Sequence, residues 1–279
     1  MLESYPRRRL LDRLARRACL AATALAVLPL ALVLAYVAVQ GVGGLSLAFF
    51  TELPRPVGEA GGGMANALVG SLILVALACL VSLPVGVMAA VYLAEYGGRT
   101  RFGQAVRFSA DVLAGAPSIV VGVFVYEVVV LPMGRFSALA GGVALGILMI
   151  PTVTRSAEEV LRLVPDGLRE AALGLGVPRW RAILGVILPA AARGIVTGVI
   201  LAVARAAGET APLLFTAFGN QLWARGLDQP VAALPLQIYV YAISPYEDWH
   251  RKAWTASLVL VMLVLALNLG ARSLTRRIP

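Results

Sequence analysis

The sequence predicts an all-α, polytopic membrane protein with six transmembrane helices. Three observations predict it. The 279 residues are 59% hydrophobic and only 14% charged, where a soluble domain carries about 25% charged residues. Six apolar stretches, near residues 19–39, 66–94, 110–131, 136–152, 190–215 and 253–271, approach the roughly 20 residues needed to cross a bilayer core. The positive residues gather in alternate connecting segments, as they do in chains threaded through a membrane.

Taken in order, the first stretch follows a basic arm, residues 1–18, and is expected to be retained. Arg7-Arg8-Arg9 faintly resembles a twin-arginine export signal, but the apolar run after it is longer than a signal core of about 7–15 residues. Residues 41–63 contain Pro54, Pro56 and Gly61-Gly62-Gly63 and read as a flexible outer connector. The second stretch opens at Asn66, which with Asn268 of the sixth is expected to tie helices together. The third carries Asp111 near its inner boundary, with Arg107 four residues earlier as the expected partner, and Glu127 near its outer end. The fourth is the shortest. The fifth contains Arg205 and Glu209, and Pro212 is expected to bend it near its outer end. Between the fifth and sixth, residues 233–239 are apolar but too short to span. They are expected to lie at the interface, or to re-enter the bilayer where protein or water satisfies the backbone.

An even number of spans places both termini on one side. With the termini inside, the inner segments hold eighteen positive residues, Arg99, Arg276 and Arg277 among them. The outer segments hold five: Arg55, Arg135, Arg225, Arg251 and Lys252. This asymmetry predicts cytoplasmic termini. Trp223, Trp249 and Trp254, with Tyr239, Tyr241 and Tyr246, then fall at the outer boundary as an aromatic belt.

Several function classes are disfavoured. The net charge of +9 is not clustered with stacking aromatics, so nucleic acid is not an expected partner. His250 is the only histidine, which argues against a histidine metal site or catalytic triad. Cys19 and Cys79 lie in apolar runs without metal-like spacing. Lys252 is the only lysine and has no Gly-x-x-x-x-Gly-Lys context, so no P-loop is present to hydrolyse ATP. No catalytic residue and no cofactor of its own are expected in this chain.

The most specific pattern lies in the inner segment 153–189. Glu170-Ala171-Ala172, three residues, Gly176, nine residues and then Val186-Ile187-Leu188-Pro189 resemble the EAA motif of ABC importer permeases, with Val186 in place of isoleucine. Asp166 is expected to cap a short helix over 167–175. Gly174 and Gly176 are expected to allow a turn of unusual dihedrals, and Pro178 to open a second helix. The resemblance implies a single transmembrane domain over 19–279. It also implies that the loop docks on a separate ATPase subunit, which binds ATP and Mg. Glu170, Ala171, Ala172 and Gly176 would form the docking surface, and Pro189 closes the motif.

Arg205 and Glu209 are four residues apart within an apolar span. Such charges face protein or water rather than lipid. Two readings stand: a structural ion pair, or an arginine on the path of an anion, whose fork matches phosphate oxygens. The run Arg205-Ala206-Ala207-Gly208-Glu209-Thr210-Ala211-Pro212-Leu213-Leu214 adds a narrower resemblance. With Leu234-Pro235-Leu236-Gln237-Ile238-Tyr239 and Ala116-Pro117-Ser118-Ile119-Val120-Val121-Gly122, it is similar to the phosphate importer permease family PstA. The sister family PstC shares the Arg-x-x-Gly-Glu core but typically continues differently.

This resemblance implies a permease that moves phosphate by alternating access, with Arg205 and Glu209 on the substrate pathway. The implied partners are a PstC-like permease, two PstB-like ATPase subunits and a PstS-like external phosphate-binding protein. Rival readings are a permease for another oxyanion, such as phosphonate or molybdate, and a channel or carrier that needs no ATPase.

Overall fold

The computed structural model describes residues 4–275, apart from residues 60 and 99. Arg99, Arg276 and Arg277, counted above for orientation, lie outside the described residues. Among the described residues eleven helices follow one another: α1 Ser4–Val42, α2 Leu47–Thr51, α3 Ala65–Tyr96, α4 Arg101–Gly115, α5 Ser118–Met133, α6 Ala138–Arg162, α7 Asp166–Gly174, α8 Arg179–Ala207, α9 Ala211–Leu214, α10 Leu234–Ala242 and α11 Glu247–Thr275. No strand occurs among the described residues, only an isolated bridge between Phe218 and Val231. Five helices are long and apolar enough to cross a membrane, and the bent pair α4–α5 makes a sixth candidate. The chain is a multi-pass, all-α membrane protein.

The centre of the bundle is α3 against α6. Gly141, Gly142 and Gly146 of α6 meet Leu74, Leu77 and Val81 of α3, and Gly86 of α3 meets Val153 of α6. The order of these contacts makes the two helices parallel. Small residues let the backbones approach where apolar burial alone gives no advantage over lipid. Ser137 starts α6 by accepting the Ala140 N–H at 3.1 Å, the side-chain cap that a helix start needs. α6 then runs to Arg162, ten residues past the expected end of the fourth span at 152, and carries the bundle into the arginine-rich end.

The third span differs from expectation. Instead of one helix over 110–131, α4 and α5 meet at an angle of 102°. Pro117 lacks an N–H and forces its predecessor out of the helical region; Ala116 sits at ψ 137°. α4 is amphipathic and begins at Thr100, which accepts the Gly103 N–H. Asp111 does not pair with Arg107. It pairs with Arg155 of α6, while Arg107 reaches Glu158 of α6 at 2.7 Å. Both pairs strap α4 to α6.

Two connectors are more ordered than the sequence suggests. Within 41–63, α2 is capped by Ser46 and buries Phe49 against Met64, so this stretch is packed against the bundle. Residues 233–239 enter α10, whose Leu234, Pro235, Leu236, Gln237 and Tyr241 are buried against α11 and α3. The Leu234 N–H at its start is satisfied by the Ser71 hydroxyl of α3 at 2.7 Å, which meets the backbone requirement for irregular chain at membrane depth.

Smaller expectations change too. Asn66 donates to the Asn220 carbonyl in the segment before α10, and Asn268 donates to Val264 of its own helix; neither joins two long helices. Tyr241 is only 1% exposed and stacks on the partly buried Trp249, so the Tyr241 ring belongs to the interior. Trp223 and Tyr246 stay exposed, as an aromatic belt requires.

Candidate functional site

The arginine-rich end is built where α3, α6 and α8 converge. Ala90 of α3, Ala157, Leu161 and Val164 at the end of α6, and Ile183, Ile187 and Ala191 of α8 form one buried cluster there. α7 projects from it. Asp166 does not cap α7 but occupies its first turn and pairs with Arg169 at 3.0 Å, where a carboxylate still complements the helix dipole. The helix ends as the glycines imply. Gly176 adopts φ 78°, its N–H bonds the Leu173 carbonyl at 2.9 Å, and the Val177 N–H bonds Ala172 at 3.2 Å. These two bonds are the Schellman arrangement, which favours glycine at the left-handed position. Gly174 is an ordinary helical residue, and Pro178 immediately precedes α8.

Glu170 and Ala171 are exposed on α7, and Glu170 forms no ion pair among the described residues. Ala172, expected on the docking surface, is buried at 7% where α7 packs on the start of α8. Pro189 is exposed within α8, just after the π-helical turn Ile183–Ile187. Leu163, Leu175, Trp180 and Leu184 are all more than half exposed around this loop. An apolar surface beside so many arginines is the usual mark of a protein or membrane contact.

The loop's internal ties were not legible in the sequence. The Glu95 carboxylate, 3% exposed at the end of α3, accepts from Arg169 of α7 at 3.0 Å. Arg179 of α8 donates to the Glu95 carbonyl and lies 4.8 Å from the centre of the Tyr96 ring. Glu158, 4% exposed, draws in Arg107, Arg155 and Arg162. Acidic residues isolated in apolar, arginine-flanked helices were the available signal. Their partners lie 51 and 74 residues away for Arg107–Glu158 and Glu95–Arg169, and no local spacing reports such a separation.

The second candidate feature is the break after α8. The helix ends at Ala207, with Gly208 and Glu209 returning their N–H groups to Arg205 and Ala206. The expected bend at Pro212 is thus a stop five residues earlier, followed by the single turn α9. Arg205 stands in the last turn of α8 and is 62% exposed at its side chain; Glu209 is 18% exposed. Their closest approach, Nε to Oε1, is 3.9 Å. Arg205 donates no hydrogen bond to a described residue, unlike Arg107 or Arg169. Leu148, Met149 and Thr152 of α6 share its cleft.

The runs around Ala116–Gly122 and Arg205–Leu214 come together here. α5 packs on α9, and a Cβ at Gly122 would fall 2.7 Å from the Pro212 Cα. The two free cysteines, Cys19 and Cys79, are not paired, and no acidic, cysteine or histidine cluster suited to a metal occurs among the described residues.

Residues 82–278 match the family of binding-protein-dependent transport system inner membrane components. The chain is 50% identical over 233 residues to the phosphate transport system permease protein PstA of Yersinia pestis, covering 84% of this chain and 79% of that one. The chain belongs to the PstA family of phosphate transport permeases. A PstA protein of Haemophilus influenzae is 46% identical, with 84% of this chain and 82% of that one covered. Its membership makes the chain a permease of a phosphate ABC importer.

Solved structures agree at the level of fold. The MetNI methionine ABC transporter in an inward-facing conformation superposes with a TM-score of 0.60 at 20% identity, over 77% of this chain and 93% of that one. A bacterial ABC transporter for the acidic polysaccharide alginate gives 0.63 at 16% identity, over 97% and 99%.

Proposed function

We propose that this PstA-family chain carries inorganic phosphate past Arg205 and Glu209 by alternating access, driven by ATP hydrolysis on separate subunits. The observation that carries the reading is the state of Arg205. Its guanidinium is largely exposed, loosely matched to Glu209 at 3.9 Å, and makes no hydrogen bond to another described residue. A structural ion pair that ordered the bundle would be short and enclosed, like Arg107–Glu158 at 2.7 Å. An arginine with its fork unoccupied suits transient contact with phosphate oxygens, and Glu209 keeps that contact from becoming a trap.

The exposed Glu170, Ala171 and apolar rim around α7 are read as the surface that meets an ATPase subunit. The working assembly is this chain, a PstC-like permease, two PstB-like ATPases that bind ATP and Mg, and a PstS-like binding protein on the outer side. The chain has no ATPase site of its own; its only lysine, Lys252, follows Arg251 without a glycine-rich loop. The arginine distribution supports cytoplasmic termini and a cytoplasmic α7, and the family of inner membrane components that the chain matches supports a bacterial inner membrane as the one its helices cross.

Arg205→Gln tests the pathway. The complex is expected to assemble and dock its ATPase normally while uptake of radiolabelled phosphate is lost. Normal uptake by this variant rejects the role, and loss of assembly returns Arg205 to a structural one.

A further inference from the structure

We propose that Glu95 and Arg169 form the joint that passes movement of the docking helix into the membrane helices. The proposal rests on reading α7 as that helix. Arg169 neighbours Glu170, the exposed residue of the docking surface, but its own side chain turns inward. Its Nε and Nη2 reach Glu95 Oε1 at 3.1 and 3.0 Å. Nη2 also meets the Leu161 carbonyl at 2.7 Å, and Nη1 meets the Val164 carbonyl and Asp166. Leu161 lies in the last turn of α6, where carbonyls lack i+4 helical partners, and Val164 lies just beyond it. One guanidinium therefore fastens α7, α6 and α3 together.

Glu95 is suited to the other half of the joint. It lies in the π-helical turn Tyr92–Tyr96 that ends α3, a distortion often found at functional positions in helices. Its side chain is 3% exposed, and Arg169 is its only ion-pair partner among the described residues. Arg179, at the start of α8, holds the Glu95 carbonyl. The Glu95–Arg169 pair thus links α3, α7, α8 and the end of α6 through directional hydrogen bonds. A lever needs such a contact: a greasy contact slips, whereas a forked arginine–carboxylate pair fixes orientation as well as distance.

Reconstituted complexes with the phosphate-loaded binding protein test this by the number of phosphates moved per ATP hydrolysed. Glu95→Gln keeps size and hydrogen-bonding capacity but removes the charge. The expected result is a fully assembled complex that still hydrolyses ATP, with the transport-to-hydrolysis ratio at least about tenfold lower, as loss of a charge-assisted pair implies. Arg169→Lys keeps the charge but not the fork, and is expected to retain an intermediate ratio. A wild-type ratio in Glu95→Gln overturns the proposal. So does a Glu95→Gln complex that fails to assemble while Arg169→Lys couples fully, because the pair is then only structural. The underlying reading fails separately, if Glu170→Arg leaves ATPase binding and uptake intact.

Discussion

Replacing Glu158 by glutamine should loosen α4 from α6, and the partners of Glu158 set the size of the effect. Arg107 Nε and Arg162 Nη2 each lie 2.7 Å from Oε1, but their side chains are 17% and 51% exposed. A hydrogen bond to a charged group contributes about 1.5–3 kcal/mol, a range that applies to the sheltered Arg107. Exposure reduces the Arg162 pair to about 0–1 kcal/mol. Arg155 is 3.6 Å away and has Asp111 as its nearer partner, so it adds little. The loss is then about 1.5–4 kcal/mol, which for a domain of this size lowers the melting temperature by roughly 3–16 °C. Tryptophan fluorescence of the detergent-purified complex during heating measures it. The ranking is the sharper test. Arg107→Gln should approach the cost of Glu158→Gln, and Arg162→Gln should be nearly silent. If Arg162→Gln is as damaging as Arg107→Gln, or Glu158→Gln melts at the wild-type temperature, burial does not govern this cluster.

Three further outcomes follow from local geometry. Gly176→Pro cannot adopt φ 78° or donate to Leu173, so it should release the ATPase in co-purification while the permease stays inserted. Gly122→Ala places a Cβ 2.7 Å from the Pro212 backbone and should cost about 1–3 kcal/mol by overpacking, seen as reduced uptake together with a lower melting temperature. Ser71→Ala strands the buried Leu234 N–H at about 1–3 kcal/mol, with faster hydrogen exchange in α10 as the direct readout.

Much of the loop around α7 was legible because its determinants are local. A glycine between a short helix and Pro178 needs only neighbouring residues to specify a Schellman turn, and Gly176 forms one. Long apolar runs were equally plain, since each crossing is decided by about 20 successive residues. Pro117 was misread although it was visible: apolar continuity across Ala116–Ser118 masked a helix breaker that the backbone obeys. The burial of Ala172 was not legible, because a motif gives membership of a surface and not which face of a nine-residue helix turns inward. The strap from Arg107 to Glu158 and the fork of Arg169 on Glu95 depend on helices far apart in the chain. The weak contact of Arg205 depends on where α8 stops. Only the fold supplies those.

The break at Pro117 also bears on the lipid around the protein. Past the break, the apolar arm of the bent pair is Ser118–Met133, about 24 Å long at 1.5 Å per residue, short of a hydrocarbon core of about 30 Å. Such a shortfall is met by thinning the bilayer or by shielding the ends with neighbouring protein, at a fraction of a kcal/mol per ångström. The short helix is also the one that touches Pro212, close to Arg205. Hydrophobic mismatch would therefore fall where α5 meets the turn after Arg205, and uptake is expected to vary with the acyl-chain length of the host membrane.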